Sequence, residues 1–463
     1  MPPFIALVLC ISLVVVLFIF DYRNMPYKSV AMWIPILWLI LISGCMSVAE
    51  WLNILGVMRM NFQPGDENVY LEGNPIDSYI FGFLIFIGIM ILKKRNLNLY
   101  DVVNNNKSVL LLLIYSGVSI LWSDFPFVSL KRYVKEIGFI IMILIVYTED
   151  NPHEAVKLLF RWPAYLLIPI SVILIKYYPH IGVNYSPWSG LPEIAGVTNS
   201  KNMLGTMALA FGMFFFWSFS SQNREDNDMN YGKKMCIHLL FLYLIFWLLI
   251  KSDSITSTVC LVTCIIFYKI SEMEIVKNHL KIVSVIVLAI LPVLAIYSGD
   301  IQQTFISGVG RGLSLTGRVE LWPDLIRLVP NPLLGTGFDS FWLGERLRKI
   351  WDIYWWHPNV AHNGFLETYI NLGLIGIFLL VIVIVTTFMK CINSMESNKI
   401  FGNFGMSILV ATILYNITES AFNRFSIIWF LFLMIAMEYP GKKEYVSMLK
   451  EHYRPGGVGN GKT

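Results

Sequence analysis

Ala361–Phe378 reads AHNGFLETYINLGLIGIF. A polar segment ends at its first residues, and an apolar helix begins at once. His362 therefore stands at the mouth of a membrane span, where an imidazole reaches both water and a lipid-linked head group. Histidine exchanges its proton near neutrality, which suits general-base work. Asn363 beside it is also a natural helix cap, so capping is the competing account of this pair.

Outward from this stretch the chain is overwhelmingly apolar. Of its 463 residues, 56% are hydrophobic and 14% charged, against roughly 25% charged in soluble domains. Continuous apolar runs recur along its length, without the alternation of a β-barrel. The expected fold is an all-α polytopic membrane protein of about thirteen transmembrane helices. The runs centre on 3–20, 30–48, 77–92, 108–122, 134–148, 162–177, 203–220, 236–250, 256–270, 281–297, 363–388, 404–418 and 425–438. The first run lacks a basic leader and a cleavage site, and reads as a retained span. Four regions follow: ten spans over 1–297, a folded loop over 298–361, three spans over 362–440 and a tail over 441–463.

Charge placement sets orientation. Lys93, Lys94, Arg95, Lys107, Lys233, Lys234, Lys269, Lys277, Lys281, Lys390 and Lys399 mark cytoplasmic loops, and Lys442, Lys443 and Lys450 put the C-terminus on the same side. The opposite side receives Glu50–Asp77, Tyr178–Asn202 and the loop 298–361. That loop is rich in tryptophan and is expected to fold over the membrane surface. Short helices are expected at Leu321–Val329 and Glu345–Tyr354, with turns at Asn331-Pro332 and Gly335–Gly337.

The six cysteines lie in or beside apolar runs, with no CxxC, so neither a disulfide framework nor a zinc site is expected. A net charge of +4 without a long basic run gives no footing for nucleic acid. No nucleotide-binding glycine motif occurs. No apolar span carries a clear central acidic residue, which argues against a proton relay.

The candidate functional groups are therefore few. Lys201 opens a helix after the Gly- and Pro-rich GLPEIAGVTNS; a helix N-terminus plus an ammonium suits an anion. Its alternative is a lysine snorkelling to water. Arg311 and Arg318 lie in GRGLSLTGRVELW, where an arginine fork matches phosphate oxygens. The alternative for Arg318 is pairing with Glu320 or Asp324. His357 reads as an interfacial belt residue. Lys131 and Arg132 sit where they can meet an anion. Glu419 and Arg424 flank the last external loop and can pair with each other. The hydroxyl-rich KSDSITS turn, Lys251–Ser257, reads as a helix cap between two spans.

Three blocks resemble the O-antigen ligase and polysaccharide polymerase superfamily of bacterial inner-membrane glycosyltransferases. They are GVTNSKNMLG (Gly196–Gly205), SLTGRVELW followed by NPLLGTGFDSFW, and AHNGFLETYINLGLIG. In the third, His362-Asn363 precede Gly373 and Gly376 at the family's spacing; Asn202 belongs to the first. The LWSD turn at Leu121–Asp124 is a weaker match.

The resemblance implies a GT-C-like helical fold. It also implies inverting transfer of a glycan from undecaprenyl diphosphate to an acceptor sugar at the periplasmic face, with no metal or cofactor. His362 would be the base. Arg318 and Lys201 would contact the diphosphate; Arg311 has no defined counterpart. Polymerisation of an exopolysaccharide or O-antigen repeat is the first expectation, and ligation to lipid A–core the second. The implied partners are the lipid-linked donor, a saccharide acceptor, a flippase and a chain-length regulator. A transporter without chemistry, or a scaffold for export, are the rivals from other classes.

Overall fold

Proline at the first helical turn starts several of the long helices, where its missing N–H costs nothing. It opens Pro3–Arg23, Pro75–Lys94, Pro126–Tyr147 and Pro152–Tyr177. Side-chain caps fix others: Asn74 accepts from the Ile76 amide at 2.9 Å, and Ser200 from Met203 at 3.3 Å. The computed structural model describes residues 1–25, 29–57, 74–185, 190–221, 231–272, 316–397 and 399–438. The expected span 281–297, Arg311, the start of the external loop and the tail 441–463 lie outside the described residues.

The described chain is almost wholly helical. Eight of its helices are long and apolar enough to cross a membrane: Pro3–Arg23, Pro75–Lys94, Pro152–Tyr177, Lys201–Ser220, Tyr231–Ser252, Ile255–Glu272, Gly364–Met395 and Phe401–Thr418. Val30–Ile42, Lys107–Trp122 and Ile427–Ala436 are apolar but shorter, so the expected number of thirteen is not reached among the described residues. Pro126–Tyr147 begins eight residues before the expected run at 134 and carries Lys131, Arg132, Lys135 and Glu136 in its first half.

Helices that are apolar all round must bury that surface in lipid or in protein. Lys201–Ser220 and Phe401–Thr418 are central, 72% and 83% buried within the protein, whereas Pro3–Arg23 is 22% buried at the periphery. Gly364–Ser397 packs along Lys399–Thr418, which packs on Ile255–Glu272.

Glu136 stands midway along Pro126–Tyr147, just before its apolar half; it is 5% exposed, and the Trp429 indole donates to its carboxylate. One expected span is corrected here. The run expected over 30–48 ends its helix at Ile42. Gly44 follows with φ 81°, and Cys45 then pairs with Thr198 as a β-bridge. A pairing so distant in sequence leaves no trace in local hydropathy. It holds the segment before Lys201 in place, with the Met46 amide donating to the Val197 carbonyl at 3.0 Å. The only strands among the described residues, Val183–Tyr185 and Pro192–Ile194, form a hairpin just upstream.

The folded loop has its own small core. Leu321, Leu325, Phe341, Leu347, Ile350 and Ile370 are buried together under tryptophans. Its helices run Thr316–Arg327 and Gly344–Ile353.

Candidate functional site

The glycine at the centre of the histidine motif explains how loop and bundle join. Gly373 interrupts its helix at φ 66°, ψ −166°, a region essentially reserved for glycine. The break frees backbone groups, and the Asn331–Gly337 turn takes them. Leu374 N–H donates to the Pro332 carbonyl at 2.9 Å, and Gly337 N–H to the Asn371 carbonyl at 2.9 Å. A Cβ on Gly373 would lie 2.2 Å from the Leu333 carbonyl oxygen. Gly373 thus docks the loop onto the span. Gly376 sits one turn beyond, where a Cβ would meet Leu372 at 2.2 Å.

His362 lies just before the same helix and is bolted on both sides. The Ala361 carbonyl accepts from the Trp322 indole at 2.9 Å, and the Ala361 amide donates to Glu367 at 2.8 Å. The Asn363 amide donates to the Ser420 hydroxyl at 2.9 Å. The Asn363 side chain caps the helix, accepting from Phe365 and Leu366 at 3.0 Å each, so the capping account of Asn363 holds. Between these anchors His362 adopts φ 51°, a conformation uncommon for a residue with a Cβ.

The imidazole meets Glu419, whose expected partner is Arg424. His362 Nδ1 lies 3.0 Å from Glu419 Oε2. A carboxylate only accepts, so Nδ1 carries the hydrogen and the lone pair of the neutral ring falls on Nε2. Arg318 reaches the other oxygen of Glu419 at 3.4 Å and donates to the Thr418 carbonyl at 2.8 Å. Burial pushes the Glu419 carboxyl up, but the hydrogen bond and charge of His362, joined by Arg318, outweigh it and hold the group below its ordinary range. Side chains of His362 and Glu419 are each 15% exposed.

Several pairings therefore differ from expectation. Arg318 pairs with neither Glu320 nor Asp324; residues two apart on a helix do not face each other, and Asp324 is taken by Arg327 at 3.3 Å. Glu419 and Arg424 do not pair with each other. Arg424 joins Glu367 at 3.1 Å, and Glu367 also accepts from the Trp342 indole at 2.8 Å. Arg132 does meet an anion, Asp339 at 3.5 Å. His357 stacks on Trp351 with ring centres 4.9 Å apart.

Lys201 stands at the first position of its helix and faces Glu193 of the hairpin at 3.4 Å. Asn202 gives its carbonyl to the Thr206 hydroxyl at 2.8 Å. Thr206 in turn lies 2.7 Å from the Tyr415 hydroxyl, one turn before Glu419. Thr256 of the KSDSITS turn lies 3.0 Å from the Thr418 hydroxyl. The starts of Lys201–Ser220, Ile255–Glu272 and Gly364–Ser397 thus meet the end of Lys399–Thr418. These are the ends that the lysine pattern puts on one side.

Such a bundle defines a multi-pass helical membrane protein. Residues 237–381 match the O-antigen ligase family. The chain is also similar to exopolysaccharide production protein ExoQ of Rhizobium meliloti (strain 1021), 24% identical over 282 residues, which cover 59% of this chain and 62% of that relative. The match thus spans less than two thirds of the relative's length. Both matches agree with the resemblance to the O-antigen ligase and polysaccharide polymerase superfamily. The matched family segment includes the His362 motif and Arg318 but excludes Lys201 and Glu419.

Proposed function

We propose that this protein is a glycosyltransferase that moves a glycan from undecaprenyl diphosphate to an acceptor sugar, extending an exopolysaccharide or O-antigen repeat at the periplasmic face of the inner membrane. The observation that carries the reading is the His362–Glu419 pair beside Arg318. An acceptor hydroxyl oxygen attacks the anomeric carbon from the face opposite the diphosphate, inverting it. Its proton goes to His362 Nε2 as the sugar–phosphate bond breaks, and the bonding electrons leave with the diphosphate. Glu419 orients the ring through Nδ1 and stabilises the imidazolium that forms. The Arg318 fork and Lys201 at its helix N-terminus oppose the charge growing on the leaving group. A diphosphate departs without an acid, so one base suffices. Arg311, in the same glycine-rich stretch, is assigned to the diphosphate as well.

The support for an exopolysaccharide product is the name of the ExoQ relative; ligation to lipid A–core is the second reading, favoured by the family match. A flippase upstream and a chain-length regulator are the partners this role would need. The test uses purified protein in liposomes with lipid-linked oligosaccharide and no other protein. Consumption of the donor with release of undecaprenyl diphosphate is expected. An unchanged donor that merely crosses the bilayer would indicate a transporter.

A further inference from the structure

The small loop core holds most of its tryptophans by their indole N–H groups. Trp322 donates to the Ala361 carbonyl at 2.9 Å, Trp342 to Glu367 at 2.8 Å and Trp351 to the Pro358 carbonyl at 2.9 Å. Trp356 differs. It is half-buried at the edge of this core, and its indole N–H has no hydrogen-bond partner among the described residues. Its ring centre lies 6.2 Å from that of His362, tilted by 40°. Tyr354 meets it edge-on at 6.2 Å. Tyr354 is itself fixed, its hydroxyl donating to Asp324 at 2.8 Å. A rigid aromatic plane with a spare donor thus flanks the ring proposed to take a proton.

We infer that Trp356 is the platform on which the acceptor sugar stacks, with its indole N–H available to a sugar hydroxyl. This rests on His362 acting as the base. The base must touch the acceptor hydroxyl, so whatever ring lies beside the base lies beside the acceptor. Glu419 and Arg318 hold the Nδ1 side of the imidazole, which leaves the acceptor to approach from elsewhere. A pyranose has one face of C–H bonds with small positive charge, matching the negative face of an indole. Its rim of hydroxyls matches the N–H. An aromatic platform tolerates different sugars while fixing the plane of the ring.

The experiment separates this inference from the identity of the base. Repeat-unit oligosaccharide, released by mild acid from the cell's own lipid-linked pool, is titrated onto the His362→Ala protein in detergent and read by saturation-transfer NMR. In this background binding is measured without turnover. Adding Trp356→Ala should weaken oligosaccharide binding roughly three- to tenfold, the usual range for a lost aromatic contact, and leave retention of lipid-linked donor unchanged. Trp356→Phe should keep most of the affinity. Equal oligosaccharide affinity with and without Trp356→Ala would overturn the platform. Should Trp356→Ala lose donor retention and so report misfolding, Trp356→Phe decides, and a loss beyond tenfold there would overturn it too. Turnover of His362→Ala itself is read separately. Wild-type turnover would remove the base and the orientation argument with it, whatever Trp356 does for binding.

Discussion

Two carboxylates stand at the mouth of this bundle, and they are used differently. Glu367 is 1% exposed and accepts from the Trp342 indole, the Ala361 amide, Arg424 and Asn371. Its oxygens are fully engaged by groups that do not change charge. Among the described residues Glu419 is shared by His362 and Arg318 alone, and one of those partners can take up a proton. The first arrangement locks the loop to the span. The second can absorb a new positive charge on the imidazole without new desolvation. On the proposed reading, one carboxylate holds the fold and the other serves the chemistry.

The contrast can be broken at either carboxylate. His362→Ala should leave expression and donor binding near wild type and cut turnover by roughly 10²–10⁴-fold, the usual worth of a positioned base; a radiolabelled-donor assay in liposomes checks this. Glu367→Ala should act the opposite way. It strips Arg424 and the Trp342 indole of their buried partner, at a cost on the order of 3 kcal/mol, seen as a lower unfolding midpoint in detergent. If Glu367→Ala folds like wild type but loses turnover, the two roles are reversed. Arg318→Ala should weaken donor binding by ~1.5–3 kcal/mol, one charge-assisted contact. Arg318→Lys should restore it only in part, because the fork is lost.

The smallest effect is on stability with pH. The folded pKa of Glu419 is depressed below the ordinary 4.5. Its ionised form therefore stabilises the fold above that value, and the contribution fades as pH falls through the lower folded pKa. Comparing wild type with Glu419→Gln, the stability gap should be present at pH 6 and shrink in acid. A gap that widens below pH 4 would contradict the pairing.

The spans were largely legible because each is set by a local run of apolar residues. Pro3–Arg23 and Ile255–Glu272 fall within three residues of the expected ends. The histidine motif was legible because its residues are close in sequence. The pairing of Glu419 was not, because 57 residues separate it from His362 and Glu419 follows the end of the helix Lys399–Thr418. Its orientation depends on Asn416, whose buried side-chain oxygen accepts from the Ala421 and Phe422 amides at 2.8 Å each and curls the chain after Thr418. The expected partners of Arg318 are its neighbours in sequence, but its helix turns it toward Thr418 and Glu419 at the end of another span. The end of the helix at Ile42 escaped notice for a similar reason, since Thr198 is 153 residues from Cys45.

A double-mutant cycle between His362 and Glu419, read in turnover of lipid-linked donor, tests the central claim most directly. If Glu419 acts through His362, Glu419→Gln should slow the wild-type enzyme and change almost nothing in the His362→Gln background. Losses that simply multiply would mean that the two residues act independently, and the paired base would be wrong.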